Sequence, residues 1–149
     1  MVEIIEEKEK YHRVKILKLP HCKYPPTSAH RYDAGLDLYY NGTETVHIGG
    51  GWQDTLESGI AVEIPVGWCG IIQNRSGALC SGDFTVDGTV DAGYRGEIKI
   101  IVHARHGVTL KPGDKLAQIV FVPHLVAFGF VNELPPGDRG DKGFGSTGK

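Results

Sequence analysis

Ile98-Lys99-Ile100-Ile101-Val102-His103 sets Ile98, Ile100 and Val102 on one side of an extended chain and Lys99, Ile101 and His103 on the other. Successive side chains of a strand point to opposite faces, so this spacing predicts a β-strand with one face against a core. The same period runs through Ile60, Val62 and Ile64, with Ala61 and Glu63 between them. Leu116, Val120 and Val122 share one face of the run from Leu116 to Val122, and Val14, Ile16, Leu17 and Leu19 suggest a strand near the start. After residue 20, glycine or proline interrupts nearly every window long enough for a helix. Short period-two runs bounded by Gly, Pro, Asn and Asp predict an all-β sandwich or barrel. One short helical turn is expected around Ser76 to Cys80. The first ten residues read equally as helix or frayed end.

A length of 149 residues corresponds to about one domain. We see no linker or repeat within residues 11–134. Sixteen Lys and Arg against 18 Asp and Glu give a net charge of −2, which argues against nucleic-acid binding by charge alone. Hydrophobic residues at 40% suffice for a core. No apolar run approaches the ~20 residues of a membrane helix, and Met1 to Lys10 lacks the apolar stretch of a signal peptide. Cys22, Cys69 and Cys80 are odd in number and widely spaced, with no C-x-x-C, so a reducing, cytoplasmic compartment is expected. In that setting the sequon Asn41-Gly42-Thr43 reads as a tight hairpin turn.

The composition changes at Leu134. Residues 135–149 hold five glycines and two prolines and read as a mobile tail, either without a role or closing over a ligand as a lid. Gly143-Phe144-Gly145-Ser146-Thr147-Gly148-Lys149 spells G-x-x-x-x-G-K, yet a P-loop needs a strand before it, a helix after it and a final Ser or Thr, so we reject that reading. The composition still suits a nucleotide. Glycines let backbone N–H groups converge on an anion, Ser146 and Thr147 add hydroxyls, Arg139 offers a phosphate fork and Phe144 a flat stacking surface. Arg139-Gly140-Asp141 matches an adhesion tripeptide too short to weigh. His103 and His106 lack a neighbouring Cys or carboxylate at metal-ligand spacing and fit a strand end and a turn.

Three further segments mix glycine with isolated polar residues. Ala34-Gly35-Leu36-Asp37-Leu38 holds one carboxylate between two leucines. Arg75-Ser76-Gly77 follows the apolar run Trp68 to Ile72. Gly88-Thr89-Val90-Asp91-Ala92-Gly93-Tyr94-Arg95-Gly96 packs Asp, Tyr and Arg among glycines. Taken singly, each is as well explained by a solvated turn or hairpin.

Taken in order, they resemble a family. With Gly113-Asp114-Lys115-Leu116-Ala117-Gln118 and the tail from Arg139 to Gly148, these segments are similar to the five motifs of the trimeric dUTP pyrophosphatases (dUTPases), from about residue 30 to the C-terminus. The resemblance implies a jelly-roll-like β-sandwich forming one domain over residues 1–149, with a C-terminal arm. It implies a homotrimer whose active sites are each shared among three chains. The implied reaction is hydrolysis of dUTP to dUMP and pyrophosphate with Mg²⁺, which keeps uracil out of DNA and supplies dUMP for thymidylate synthesis. By the same resemblance Asp91 is the general base that activates water against the α-phosphorus, and Tyr94 packs under the deoxyribose where a 2′-hydroxyl would sit. Arg75, Ser76 and Gln118 hold phosphate oxygens, Gly77, Gly88 and Gly145 belong to the substrate-binding loops, and Asp37 supports the metal through water. Arg139, Ser146 and Thr147 bind the terminal phosphates, and Phe144 covers the uracil. The implied compartment is cytoplasmic, or nuclear for a eukaryotic or viral source.

Elementary chemistry agrees. Phosphoryl transfer is mostly positioning and charge neutralisation, and an aspartate near neutrality accepts a proton. Uracil differs from cytosine in its donor and acceptor pattern at position four, so backbone groups on a tight hairpin near Gly88 are expected to select it. Two features depart from the family pattern. Asn74 replaces the proline that usually precedes Arg-Ser, and Ala78 to Asp87 is short, with Thr85 and Asp87 as weak candidates for base contacts. A dCTP deaminase on the same scaffold would release ammonia, and a dUTP-sensing binding protein would bind without turnover. The tail and the Asp91-x-x-Tyr94 pair favour the hydrolase.

Overall fold

The structure is a computed structural model that describes residues 13–77 and 82–143. Among the described residues ten strands follow in order: β1 Lys15–Lys18, β2 Gly35–Tyr39, β3 Val46–Ile48, β4 Gln53–Glu57, β5 Ile60–Glu63, β6 Trp68–Gln73, β7 Phe84–Val90, β8 Lys99–Ala104, β9 Val108–Leu110 and β10 Lys115–Pro123. Six of them form one sheet in the order β2-β10-β6-β7-β8-β4, and two ribbons, β1-β5 and β3-β9, complete the fold. Every pairing is antiparallel. Ile48 and Leu110 of one ribbon and Ile60 and Val62 of the other join the core cluster with Leu38, Ile100, Val102 and Ile119 of the large sheet. The sheets curl around one apolar interior, the jelly-roll-like sandwich expected. Each fully buried Ile or Leu there contributes about 1.5–3 kcal/mol. Among the described residues the only helical turn begins at Ser76 and Gly77. The rest of the expected turn lies outside the described residues.

The alternation in β8 holds: Ile98, Ile100 and Val102 are buried while Lys99 and Ile101 face water. In β10 the inward face is not the one expected. The pairing register shifts between Lys115 and Ala117, a bulge that offsets the pleat. Ile119, 1% exposed, therefore faces the core with Leu116, and Val120 and Val122 sit at its margin.

Asn41-Gly42 is not a hairpin turn either. Asn41 is 4% exposed. Its Oδ1 accepts from the Lys23 and Tyr24 N–H groups (2.8 Å each), and its Nδ2 donates to the carbonyls of Tyr24, Tyr39 and Ser58. A buried amide with all its bonds made ties the 22–24 loop to β2 and to the β4–β5 turn.

The body ends at Pro123, eleven residues before the composition changes. From His124, whose N–H donates to the Gly67 carbonyl, the chain runs away from the sandwich. Leu125, Phe128, Phe130 and Leu134 stand in solvent, Phe128 at 97% exposure. Phe128 and Phe130, two residues apart, form an exposed apolar patch.

Candidate functional site

The expected site residues gather at two ends of one strand pair. At the first end, Gln118 of β10 pairs with Asp37 of β2 on one side and with Gln73 of β6 on the other. Arg75 lies just past β6 and Lys115 at the start of β10. Arg75 Nε donates to Asp37 Oδ1 (2.9 Å) and Lys115 Nζ to Asp37 Oδ2 (2.9 Å). The Arg75 bond uses Nε, so the guanidinium's terminal N–H donors are not consumed by it. Burial alone raises the Asp37 carboxyl pKa, yet the hydrogen bonds and charges of Lys115 and Arg75 outweigh it and hold the group below its ordinary value. The bond to Asp37 raises Lys115 above its ordinary value, against the opposing effect of desolvation. One carboxylate against two cations leaves the cluster at +1, a field for an anion.

Two residues without an expected role build this end. Lys115 is one. The other is Asn74, whose Oδ1 accepts the Val86 N–H (2.8 Å) and whose carbonyl accepts the Gln118 amide (3.1 Å). It fastens the Arg75 turn to β7 and orients Gln118 together. Gly35 has a packing reason: a methyl there would press on the Gln118 amide oxygen at 2.6 Å. Ser76 and Gly77 are exposed beside Arg75.

At the second end, Asp91 and Tyr94 line one depression of about 310 Å³ with Thr55, Thr89, Glu97 and Lys99. Asp91 follows β7 and opens a turn closed by the Tyr94 N–H on its carbonyl (3.1 Å). Among the described residues no hydrogen bond or ion pair engages its carboxylate. Tyr94 Oη donates to the Glu97 carbonyl (2.9 Å), which sets the ring beside the depression.

Asp37, Arg75 and Gln118 are absent from that lining. Gly70 pairs with Val90, and continuing this register sets Asp91 beside Cys69. Six residues separate Cys69 from Arg75, ~20 Å of extended chain. Along one chain the Asp91 turn and the Arg75 cluster therefore lie at opposite ends of β6.

Gly88 does not tip a tight hairpin. It lies inside β7, which pairs with β8 over Phe84–Asp87 and with β6 over Gly88–Val90, so the strand changes partner there. Thr85 is half-buried, and Asp87 lies 3.4 Å from His103 Nε2 on the outer face. Arg139 is exposed on the arm, its guanidinium donating to the Lys142 carbonyl at 3.3 Å. Phe144, Gly145, Ser146 and Thr147 lie outside the described residues. Among the described residues no three His, Cys, Asp or Glu side chains converge to hold an ion.

The sequence profile of the dUTPase family matches residues 23–148. The deoxyuridine 5′-triphosphate nucleotidohydrolase of Corynebacterium glutamicum is 38% identical over 143 residues, covering 91% of this chain and 95% of that protein. Its counterpart in Gloeobacter violaceus is 37% identical, covering 91% and 97%. Among solved structures, the dUTPase of Staphylococcus bacteriophage 80alpha with dUpNHpp superposes with a TM-score of 0.84 at 25% identity, covering 93% of this chain and all of that one. A point mutant of the dUTPase of Staphylococcus aureus phage phi11, described with a structural Mg(II) ion, has a TM-score of 0.74 at 24% identity, covering 82% and 98%.

Proposed function

The chain belongs to the dUTPase family and is a dUTP diphosphatase, and we propose how its residues divide the hydrolysis of dUTP to dUMP and pyrophosphate. Asp91 takes a proton from a water as its oxygen attacks the α-phosphorus. The bond from that phosphorus to the bridging oxygen breaks, and pyrophosphate leaves with the electron pair. The Asp91 carboxylate has no competing bond among the described residues, as a base should. Tyr94 packs under the deoxyribose and excludes a 2′-hydroxyl. Arg75, Ser76, Gly77 and Gln118 bind phosphate oxygens, where fixed donors neutralise the charge that develops. Gly88 offers backbone groups from β7 to the uracil. Arg139, Ser146 and Thr147 hold the terminal phosphates, and Phe144 and Gly145 close over the base.

The described donor set does not suit a resident bare ion. The +1 cluster repels one, and both Asp37 oxygens already bind cations. It does suit Mg²⁺ arriving on the triphosphate, because each carboxylate oxygen keeps a second lone pair for a metal-bound water. When bound, Mg²⁺ neutralises phosphate charge. The odd, widely spaced set of Cys22, Cys69 and Cys80, with no C-x-x-C, supports a reducing, cytoplasmic compartment.

The geometry that carries this reading is the register of β6 and β7: continued by one residue it sets Asp91 beside Cys69, six residues or ~20 Å of extended chain from Arg75. A second copy must bring its Arg75 end to the Asp91 depression, and the uncovered apolar arm supplies a means of assembly. A homotrimer with shared sites satisfies both. An Asp91→Asn chain and an Arg75→Ala chain, each inactive alone, should recover about a quarter of wild-type activity when unfolded together and reassembled, because random partners restore that share of sites. No recovery, from mixed oligomers verified by mass, would refute the shared site.

A further inference from the structure

Tyr94 is 48% exposed, and a ring so placed would sample several rotamers unless something fixed it. Three features fix it. A methyl on Gly96 would stand 2.5 Å from the Tyr94 oxygen and 2.7 Å from Cζ, so the ring lies directly on the backbone of its own loop. The phenol donates to the Glu97 carbonyl (2.9 Å). Glu97 is itself bolted down, since its side-chain Oε1 accepts the Gly59 N–H (2.9 Å) and faces His21 Nε2 at 2.8 Å, with the carboxylate only 16% exposed. Gly59 has no freedom to yield. Its φ is +74°, and an added Cβ would meet Asn41 and Cys22 at 3.0 Å. The next residue continues the attachment: Ile98 N–H donates to the Ile60 carbonyl, and the Ser58 hydroxyl donates to the Ile98 carbonyl. Tyr94 is thus joined through Glu97 to the β4–β5 turn, and that turn to the buried Asn41 amide.

We infer that Glu97 is a positioning residue for substrate choice: its carboxylate, held by Gly59 and His21, fixes the Tyr94 ring against Gly96 at the height where a ribose 2′-hydroxyl collides and a deoxyribose does not. This rests on the reading of Tyr94 as the surface under the sugar. Discrimination by exclusion needs a wall that does not retreat. A phenol free to swing would admit the larger sugar at little cost, whereas one restrained by a hydrogen bond and a carboxylate staple must break them first. Glu97 lines the same depression as Asp91, but its carboxylate is engaged by Gly59 and His21, so its effect on sugar choice is exerted through the Tyr94 ring.

The test is the ratio of kcat/KM for UTP to that for dUTP, which a uniform loss of folded protein does not move. Glu97→Ala removes the staple and should raise the ratio about tenfold, the equivalent of one broken hydrogen bond of about 1.4 kcal/mol. Glu97→Gln keeps an acceptor for the Gly59 N–H and should restore the ratio to within about threefold of wild type. Gly96→Ala displaces the ring directly, leaves the staple intact and decides the matter if Glu97→Ala fails to fold; it should also raise the ratio. Tyr94→Ala is the control. If it leaves the ratio unchanged, the reading of Tyr94 itself fails. If Tyr94→Ala raises the ratio while folded Glu97→Ala or Gly96→Ala lowers dUTP turnover with the ratio unmoved, Glu97 and Gly96 are merely structural and the inference is overturned.

Discussion

The two ends of the β6–β7 pair are built by opposite means. At the Arg75 end, charges hold one another: Asp37 clamps Arg75 and Lys115, and Arg75, proposed to grip phosphate, also forms the local scaffold. At the Asp91 end, neutral backbone bonds and the Glu97 carboxylate hold the loop, and the Asp91 carboxylate itself carries no structural duty among the described residues. A group that must bind charge can be pre-paired, because ligand and partner can share a guanidinium. A group that must accept a proton cannot, because a pre-formed ion pair would lower its basicity. The stability of the first end should therefore respond to pH and salt, and that of the second mainly to shape.

The sharpest division is kinetic. Asp91→Asn should lower kcat by about 10²–10⁴-fold with little change in KM, the signature of a lost general base. Arg75→Ala should raise KM as well as lower kcat, and should cost stability by freeing Asp37. Steady-state kinetics beside thermal melts separate the cases, and equal KM effects in both would erase the contrast drawn here.

A smaller effect concerns acid. The Asp37 carboxyl lies below its ordinary value in the folded chain, so its contribution is present above the unfolded value of about 3.9 and disappears as pH falls through the folded one. Asp37→Asn should lower stability by about 1 kcal/mol at pH 7, and the melting temperatures of variant and wild type should converge in acid. Lys115 mirrors this, its contribution being lost as pH rises through its raised value. A constant gap between the melting curves from pH 7 down to 3 would remove Asp37 from the account.

The smallest expected change in activity is that of Asn74→Pro. Proline keeps the carbonyl that orients Gln118 but strands the Val86 N–H, which should cost about 1–2 kcal/mol of stability with kcat/KM nearly intact. A large loss of activity, measured on dUTP at a temperature where the variant is folded, would mean that Asn74 serves the ligand as well as the strand.

Much of the architecture was legible because burial on one face writes itself into period two, as in Ile98, Ile100 and Val102. The inward face of β10 was not, because a bulge at Lys115–Ala117 leaves no mark in hydrophobicity. Asn41-Gly42 misled because the pair carries the chemistry of a turn, while only the fold reveals that the amide is buried with five bonds. The arm begins at His124, before the glycines, because Leu125 to Leu134 have the composition of a core strand and their exposure is a tertiary fact. At the site, residue types were readable as motifs, but their separation was not. Spacing along a chain does not say which end of a strand a residue reaches. Lys115 and Glu97 went unassigned because each acts by pairing with a residue far away in sequence, Asp37 in one case and Gly59 in the other.

On the proposed shared site, Phe128 and Phe130, left bare by the body that carries them, would tie the working of this catalyst to its abundance. A lone copy would hold an uncovered apolar arm and two separated halves of the proposed site, so rate per chain should decline on dilution as partners part company. Synthesis level would then govern output more steeply than in proportion, a dosage response written into two aromatic rings.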